Sequence, residues 1–455
     1  MRNLLSGRRR LLLTAAAAVA AVAVAVPALA AGTNPWDLLP DRTSAVRDAV
    51  QGGMARNVIL LIGDGMGDSE ITIARNYEKG ANGRLAMDTL PLQGAYTTYA
   101  VQKGTDKPDY VTDSAASGTG WATGKKSYNG AISVDTNGKP QSSLLELARK
   151  QGYQTGNVTT AEIEDATPAV LGAHVVDRGC KGPDNMATCA VNDKVNGGAG
   201  SIAEQFVDSK ADVILGGGKA FFDQTVKAGP YQGKTVLQQA AENGYNVITD
   251  KTALSAADNK KPLLGLFAKN NMDLEWTGPL AVKGGTASSR CAVNDAYPAA
   301  APRLDEMANK AISLLNSKKG SAGFFLQVEG ASIDKQDHAS NPCGQIGETI
   351  AFDKAVQAAL DFAKKDGNTS VFVTADHGHT SQIIEGPVSP GNTATLITNE
   401  GSPMHINYAT STGSSQSHTG TEVRIVGYGP QAANIVGTTN QTDLFYTISR
   451  ALHLK

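Results

Sequence analysis

The chain has 455 residues, 41% of them hydrophobic and 18% charged, enough for a large buried core and too apolar for a disordered protein. Its 41 basic and 43 acidic residues leave a net charge of −2, which argues against nucleic acid or an anionic membrane as a general partner.

Residues 1–30 read as a cleavable signal peptide. Arg8-Arg9-Arg10 is a positive n-region, residues 11–26 are apolar and alanine-rich, and Ala28-Leu29-Ala30 is a small-residue cleavage site. The predicted destination is therefore the periplasm or the medium. The apolar run is shorter than the ~20 residues a spanning helix needs, and no later segment is longer, so no stable membrane anchor is expected. Cleavage would remove Arg2, Arg8, Arg9 and Arg10 and no acid, making the mature chain more acidic. Residues 31–56 read as an N-terminal arm with a helix over 41–50.

From Asn57 onward one large domain is expected, residues 57–455, in which strand-like and helix-like stretches alternate. Val58-Ile59-Leu60-Leu61-Ile62 is a strand-like run that enters Gly63-Asp64-Gly65-Met66-Gly67. Glycines there let the backbone approach closely, and one carboxylate between them can bridge two cations. Val111-Thr112-Asp113-Ser114-Ala115 reads as a helix start capped by Thr112 or Asp113. A serine in that first turn sits at the positive end of the helix dipole, where anions bind. Residues 141–143 offer caps to a helix over 144–150, and 156–159 reads as a buried strand. Arg178 follows, a residue able to fork two phosphate oxygens.

Residues 179–200 break the alternation and read as a surface excursion. A strand over 212–215 ends in three glycines. Pro302 is predicted to open a helix with Leu304, Met307, Ala308, Ala311, Ile312 and Leu315 at helical spacing. The strand 324–328 then runs into Glu329, followed by Asp334 and His338 at i, i+4 spacing, which on a helix puts both on one face. A helix over 348–365 leads to a strand at 371–374 and then Asp376-His377. Residues 379–417, rich in Gly, Ser, Thr, Pro and Asn, read as a second surface excursion that must leave the site and return with His418. A strand at 423–427 and a helix from Asp443 close the chain.

Such alternation implies a mainly parallel sheet covered on both faces. Ligands in such sheets sit beyond the carboxyl ends of the strands. Acids, histidines and one serine from four distant segments would meet at one edge, which is the inventory of a metal-assisted hydrolase with a covalent intermediate. The four cysteines, Cys180, Cys189, Cys291 and Cys343, suit two disulfides in an exported chain. Three pairings are open, and Cys180–Cys189 with Cys291–Cys343 is the local choice.

Asp113-Ser114-Ala115-Ala116-Ser117, Thr160-Ala161-Glu162 with Asp165-Ala166-Thr167-Pro168, the run Val328-Glu329-Gly330-Ala331-Ser332-Ile333-Asp334-Lys335-Gln336-Asp337-His338, Thr374-Ala375-Asp376-His377 and Ser417-His418-Thr419-Gly420 together resemble the bacterial alkaline phosphatase family. The resemblance runs from about Asn57 to the C-terminus. It implies a three-layer α/β/α sandwich, usually a homodimer, that hydrolyses phosphate monoesters through a phosphoserine. It makes Ser114 the nucleophile, with Arg178 clamping phosphate and Lys335 assisting through water. It gives Asp334, His338 and His418 to one zinc and Asp64, Asp376 and His377 to a second. Magnesium would fall to Asp64, Thr167 and Glu329, with Asp165 reaching it through water and pairing with Lys335. The family's cysteine pairing is the local one. Two departures are expected to matter mildly: Gly118 and Gly120 loosen the helix after Ser114, and Gly378 separates His377 from His379.

Two other readings share this inventory: another metal-dependent ester hydrolase, either a diesterase or a sulfatase, and a non-catalytic exported zinc-binding protein. A diesterase would need room for a second ester group. A sulfatase would need C-x-P-x-R or its serine equivalent, which does not occur. A non-catalytic zinc-binding protein would have no use for the complete set of catalytic positions.

Overall fold

The computed structural model describes residues 41–318, 320–386 and 390–455. The predicted signal peptide and residues 31–40 of the arm lie outside the described residues. The chain divides into two units, Met1–Ser44 and Ala45–Lys455. In the first, the Asp41 carboxylate accepts the Thr43 backbone N–H at 2.8 Å and the Thr43 hydroxyl at 2.6 Å. A helix begins there as Thr43–Ala49.

The second unit is built on a ten-stranded sheet. From one edge the order is Gly437–Asn440, Leu92–Thr97, Val423–Tyr428, Thr369–Ala375, Asn57–Gly63, Phe324–Gly330, Gln154–Glu162, Val213–Gly217, Leu263–Leu266, Asn246–Ile248. All pairings are parallel except those that Val423–Tyr428 makes with its two neighbours. Every residue of Asn57–Gly63, Phe324–Gly330 and Thr369–Ala375 is buried. Strand side chains alternate between faces, so complete burial means that helices cover both sides, the α/β/α arrangement expected. The register sets Gly63 opposite Gly330 on one side and opposite Ala375 on the other. Three neighbouring strands therefore end in one row, and Asp64, Ala331 and Asp376 leave the sheet together.

The predicted helices form, with two shifted starts. Ser143 caps Leu144–Lys150, and Glu146 returns to its backbone N–H at 2.8 Å. Leu304–Asn316 is capped at Arg303, one residue after Pro302, and buries all six apolar residues that mark its face. The long helix runs Pro342–Asp366, six residues earlier than the apolar pattern indicates. Asn341 supplies the start, its side chain accepting the Gly344 N–H at 3.1 Å ahead of Pro342 at the first turn. Gly344 and Gly347 in those first turns carry no apolar signal.

Residues 379–417 are more than a surface excursion. Ser381–Ile384, Asn392–Ile397 and Pro403–Tyr408 pair antiparallel in a second, smaller sheet, joined by Val282–Lys283 and Ser288–Ser289. Alternation along Pro403–Tyr408 buries Met404, Ile406 and Tyr408. Short strands among many Ser, Thr and Asn residues hide this pattern in the sequence. Residues 179–200 carry two short 3-10 turns, Pro183–Thr188 and Lys194–Asn196.

Both disulfides take the local pairing, Cys180–Cys189 and Cys291–Cys343. The second closes a separation of 52 residues and ties the segment just after Ser288–Ser289 to the start of the long helix. Loop-closure entropy assigns it about 4 kcal/mol. Replacing Cys291 and Cys343 with serine should lower the thermal midpoint by more than replacing Cys180 and Cys189, which span 9 residues. Calorimetry of the two double variants checks this, and an equal loss from both would contradict the loop-length ordering.

Candidate metal centre and nucleophile

Asp64 follows the central strand, its backbone N–H on the Gly330 carbonyl at 3.2 Å. Gly65 then turns with φ +65, and a Cβ there would lie 3.0 Å from both the Asp334 Cβ and a ring carbon of His379. Only glycine suits that turn and that approach. The Gly65 N–H donates to Asp376 Oδ1 at 2.8 Å, so the ends of two strands are tied by a carboxylate.

Ser114 opens the helix Ser114–Thr123, all of which is buried. Asp113 is the cap, its Oδ1 accepting the Ala116 N–H at 2.9 Å. Thr112 is not. One turn on, the Ser117 hydroxyl and the Gln441 amide both donate to the Asp376 carbonyl, at 2.7 and 2.8 Å. Tyr96 donates to the preceding carbonyl, that of Ala375. These bonds hold the helix start against the strand end. The helix continues unbroken through Gly118 and Gly120. A Cβ on Gly118 would lie 2.9 Å from Val170, which makes that glycine a close-packing position. The Ser114 hydroxyl lies 3.4 Å from His377 Nε2 and 3.5 Å from Asp64 Oδ2.

Four imidazoles face this serine's surroundings, and their backbone contacts fix the tautomers. Nδ1 of His338 meets the Gln416 carbonyl at 2.5 Å, that of His418 the Thr112 carbonyl at 3.0 Å, and that of His377 the Gly378 carbonyl at 3.2 Å. A carbonyl only accepts, so each Nδ1 carries the hydrogen and each neutral ring turns an Nε2 lone pair inward. Yet His338 Nε2 and His418 Nε2 are 3.1 Å apart, and both approach Asp334 Oδ1, at 3.4 and 3.3 Å. His377 Nε2 lies 3.2 Å from Asp376 Oδ2 and 3.5 Å from Asp64 Oδ1. Lone pairs opposed at hydrogen-bond distance repel unless a cation stands between them. Asp64 Oδ1, Asp334 Oδ1 and Asp376 Oδ2 are buried with no hydrogen-bond donor. The nitrogen-and-carboxylate donor sets fit zinc.

His379 completes the ring of imidazoles but is turned the other way. The Thr380 N–H donates to its Nδ1 at 2.9 Å, so its Nε2 carries the hydrogen, 3.1 Å from Asp334 Oδ1 but not aligned for a hydrogen bond with it. It offers no lone pair to a cation. Proximity in sequence to His377 marks it, but its role is decided by one backbone N–H. Asp334 itself belongs to two potential cation groups, one with His338, His379 and His418 and one with Asp64 and His377.

The carboxylates crowd one another. Burial first, then the charges of Asp376, Asp334 and Glu329, push the Asp64 carboxyl well up. Burial takes Asp376 to about 6 and Glu329 to about 8. Asp334 is also buried, but the imidazoles of His379 and His418 outweigh that and hold it well below the usual range. The Glu329 carboxylate accepts the Thr159 hydroxyl at 2.5 Å, and the buried Thr167 hydroxyl has no partner. Carboxylates with a free hydroxyl form an oxygen-only set that suits a hard cation such as magnesium.

Beside these acids lies an ion-pair network. Asp165 caps the short helix Ala166–Ala169. Its Oδ2 takes Lys335 Nζ at 2.7 Å and its Oδ1 takes an Arg178 terminal nitrogen at 3.0 Å. The other terminal nitrogen of Arg178 lies 3.1 Å from Asp113 Oδ2, the carboxylate that caps the serine helix. Burial would raise the Asp165 carboxyl, but Lys335, Arg178 and Lys181 outweigh it and hold it well below the usual range. Lys181 and the bridging role of Asp113 are invisible in the sequence, because they depend on where Asp165 and Arg178 come to lie. Among the described residues no helix is long and apolar enough to cross a membrane.

A family model described as alkaline phosphatase matches residues 55–414 and 392–454. Alkaline phosphatase H of Pseudomonas aeruginosa is 55% identical over 424 residues, 91% of this chain and 89% of that protein. Alkaline phosphatase of Escherichia coli K12 is 54% identical over 427 residues, 92% and 90% of the two chains. Among solved structures, a variant of the TAB5 alkaline phosphatase with Mg bound in its M3 site aligns with TM-score 0.65 and 28% identity, over 89% of this chain and all of that one. Identity at more than half of the positions, sustained over nine-tenths of both chains, makes this chain a member of the alkaline phosphatase family, a metal-dependent phosphomonoesterase.

Proposed function

We propose that the chain hydrolyses phosphate monoesters by double displacement through a phosphoserine at Ser114. The observation that carries this is a buried serine at a helix start, its hydroxyl within 3.5 Å of Asp64 and 3.4 Å of His377. In the first step Ser114 Oγ bonds to phosphorus in line as the ester oxygen leaves. In the second, water displaces Oγ and inorganic phosphate departs. The helix dipole at Ser114 favours the anion in both.

The assigned metals are two zinc ions and one magnesium per chain. Asp334, His338 and His418 would hold the first zinc, and Asp64, Asp376 and His377 the second. Asp64, Thr167 and Glu329 would hold magnesium, with Asp165 acting through water. Bound, these ions supply Lewis-acid charge to the phosphoryl oxygens and lower the pKa of a nearby hydroxyl. Arg178 forks the phosphate: its terminal nitrogens spend one N–H each on Asp113 and Asp165 and keep one each for the ligand. Lys335, fixed by Asp165, assists through water. All these groups address the phosphoryl end of the substrate, so the leaving alcohol should matter little.

The predicted leader and two disulfides support export to the periplasm or medium. The organisation proposed is a signal peptide over 1–30, an arm over 31–56 and a catalytic domain over 57–455, assembled as the homodimer usual in the family.

Ser114→Ala should keep its metals and bind phosphate but lose most turnover. Phosphorus label from substrate, trapped at acid pH, should appear on Ser114 of the parent protein, and near-parent turnover in the variant would remove Ser114 as nucleophile. Chelation should abolish activity, and zinc with magnesium should restore it at two zinc and one magnesium per chain by elemental analysis. A fully active metal-free preparation would refute the metal assignment. Arg178→Ala should weaken inhibition by inorganic phosphate through loss of charged hydrogen bonds worth roughly 1.5–3 kcal/mol. Unchanged phosphate inhibition would put Arg178 outside the site.

A further inference from the structure

Asp165 faces three cations, and the mechanism above uses two of them, Lys335 and Arg178. The third, Lys181, places Nζ 3.7 Å from Asp165 Oδ1 and 2.5 Å from Glu162 Oε2. It also stands over the Phe221 ring, 5.7 Å from the centroid. Its position is built in by the backbone. The Cys180 and Lys181 carbonyls accept the Ile202 and Ala203 N–H groups at 3.0 and 2.9 Å, at the start of the helix Ile202–Ser209. Cys180 between Arg178 and Lys181 is locked to Cys189. Arg178 and Lys181 therefore leave one clamped turn and converge on the same carboxylate oxygen.

That convergence bears on phosphate binding. Asp165 and a bound phosphate compete for Arg178 and Lys335. Two cations that must balance Asp165 alone are held more firmly by it than two cations assisted by a third. Lys181 is in turn divided between Asp165 and Glu162, the last residue of its strand.

We propose that Lys181 is a positioning residue that shares the charge of Asp165 and so leaves Arg178 and Lys335 available to phosphate, with Glu162 setting how much of Lys181 reaches Asp165. The inference rests on the assignment of Arg178 as the phosphate clamp. It predicts opposite signs for two substitutions. In Lys181→Met, Asp165 draws Arg178 and Lys335 to itself. In Glu162→Gln, Lys181 is freed toward Asp165 and the other two cations are released.

The experiment measures kcat, KM and the inhibition constant of inorganic phosphate for metal-replete Lys181→Met, Lys181→Arg, Glu162→Gln and Arg178→Ala, with metal content as control. Lys181→Met should raise KM and the phosphate constant together, by about 3- to 10-fold for one partly exposed ion pair, while kcat holds or rises. Lys181→Arg should stay within about twofold of the parent, since the charge is kept. Glu162→Gln should lower the phosphate constant, and this arm remains decisive if Lys181→Met fails to fold. Shifts of the same sign in Lys181→Met and Glu162→Gln would overturn the inference. So would no shift in either while Arg178→Ala weakens phosphate inhibition. A phosphate constant indifferent to Arg178→Ala would instead strike the clamp assignment itself.

Discussion

The parallel register of three strands is the constraint on which the site depends. Asn57–Gly63 pairs with Phe324–Gly330 and with Thr369–Ala375 so that all three end level, Gly63 opposite Gly330 and Ala375. All three strands are buried on both faces, so a slip of one residue would turn every side chain to the other layer and mismatch both sets of helices. Strand ends held level by that penalty deliver Asp64 and Asp376 side by side. The helix Ser332–His338 starts just beyond the third strand and brings Asp334 and His338 to the same edge.

What gathers there would not be stable as a set of bare side chains. Imidazole lone pairs oppose one another, and Asp64 Oδ1, Asp334 Oδ1 and Asp376 Oδ2 are buried without donors. Two features make the arrangement tolerable while keeping it ready for cations. Backbone carbonyls hold three histidines by Nδ1, fixing their tautomers from outside the cluster. His379, held by a backbone N–H instead, keeps its hydrogen on Nε2, 3.1 Å from Asp334, the acid common to both cation groups. The difference between an inward lone pair at His377 and an inward hydrogen at His379, two residues on, is thus one of backbone polarity.

Arg178 and Lys335 are coupled to the helix that Ser114 opens by carboxylates that each serve two masters. Asp113 caps the serine helix with one oxygen and holds Arg178 and the Gly130 N–H with the other. Asp165 caps a second helix while gathering Arg178, Lys335 and Lys181. Placement of Ser114 and placement of Arg178 are therefore not independent: both hang on Asp113.

The sequence by itself determined the layered α/β plan, because buried parallel strands must be continuous apolar runs and their helices must alternate with them. It also determined the proposed site residues, because motifs such as the run from Val328 to His338 keep acids and histidines at spacings legible without coordinates. Low-signal stretches escaped it: the glycine-bearing start of the long helix at Pro342, and the small sheet hidden among polar residues after His379. Only the tertiary structure decided which histidines present lone pairs, that Asp113 rather than Thr112 is the cap, that Gly118 is a packing position, and that Lys181 reaches Asp165. Each of these turns on the direction of a side chain relative to a group remote in sequence or on which backbone atom meets it. One-dimensional spacing carries neither, whereas the register and the clamped turns fix both.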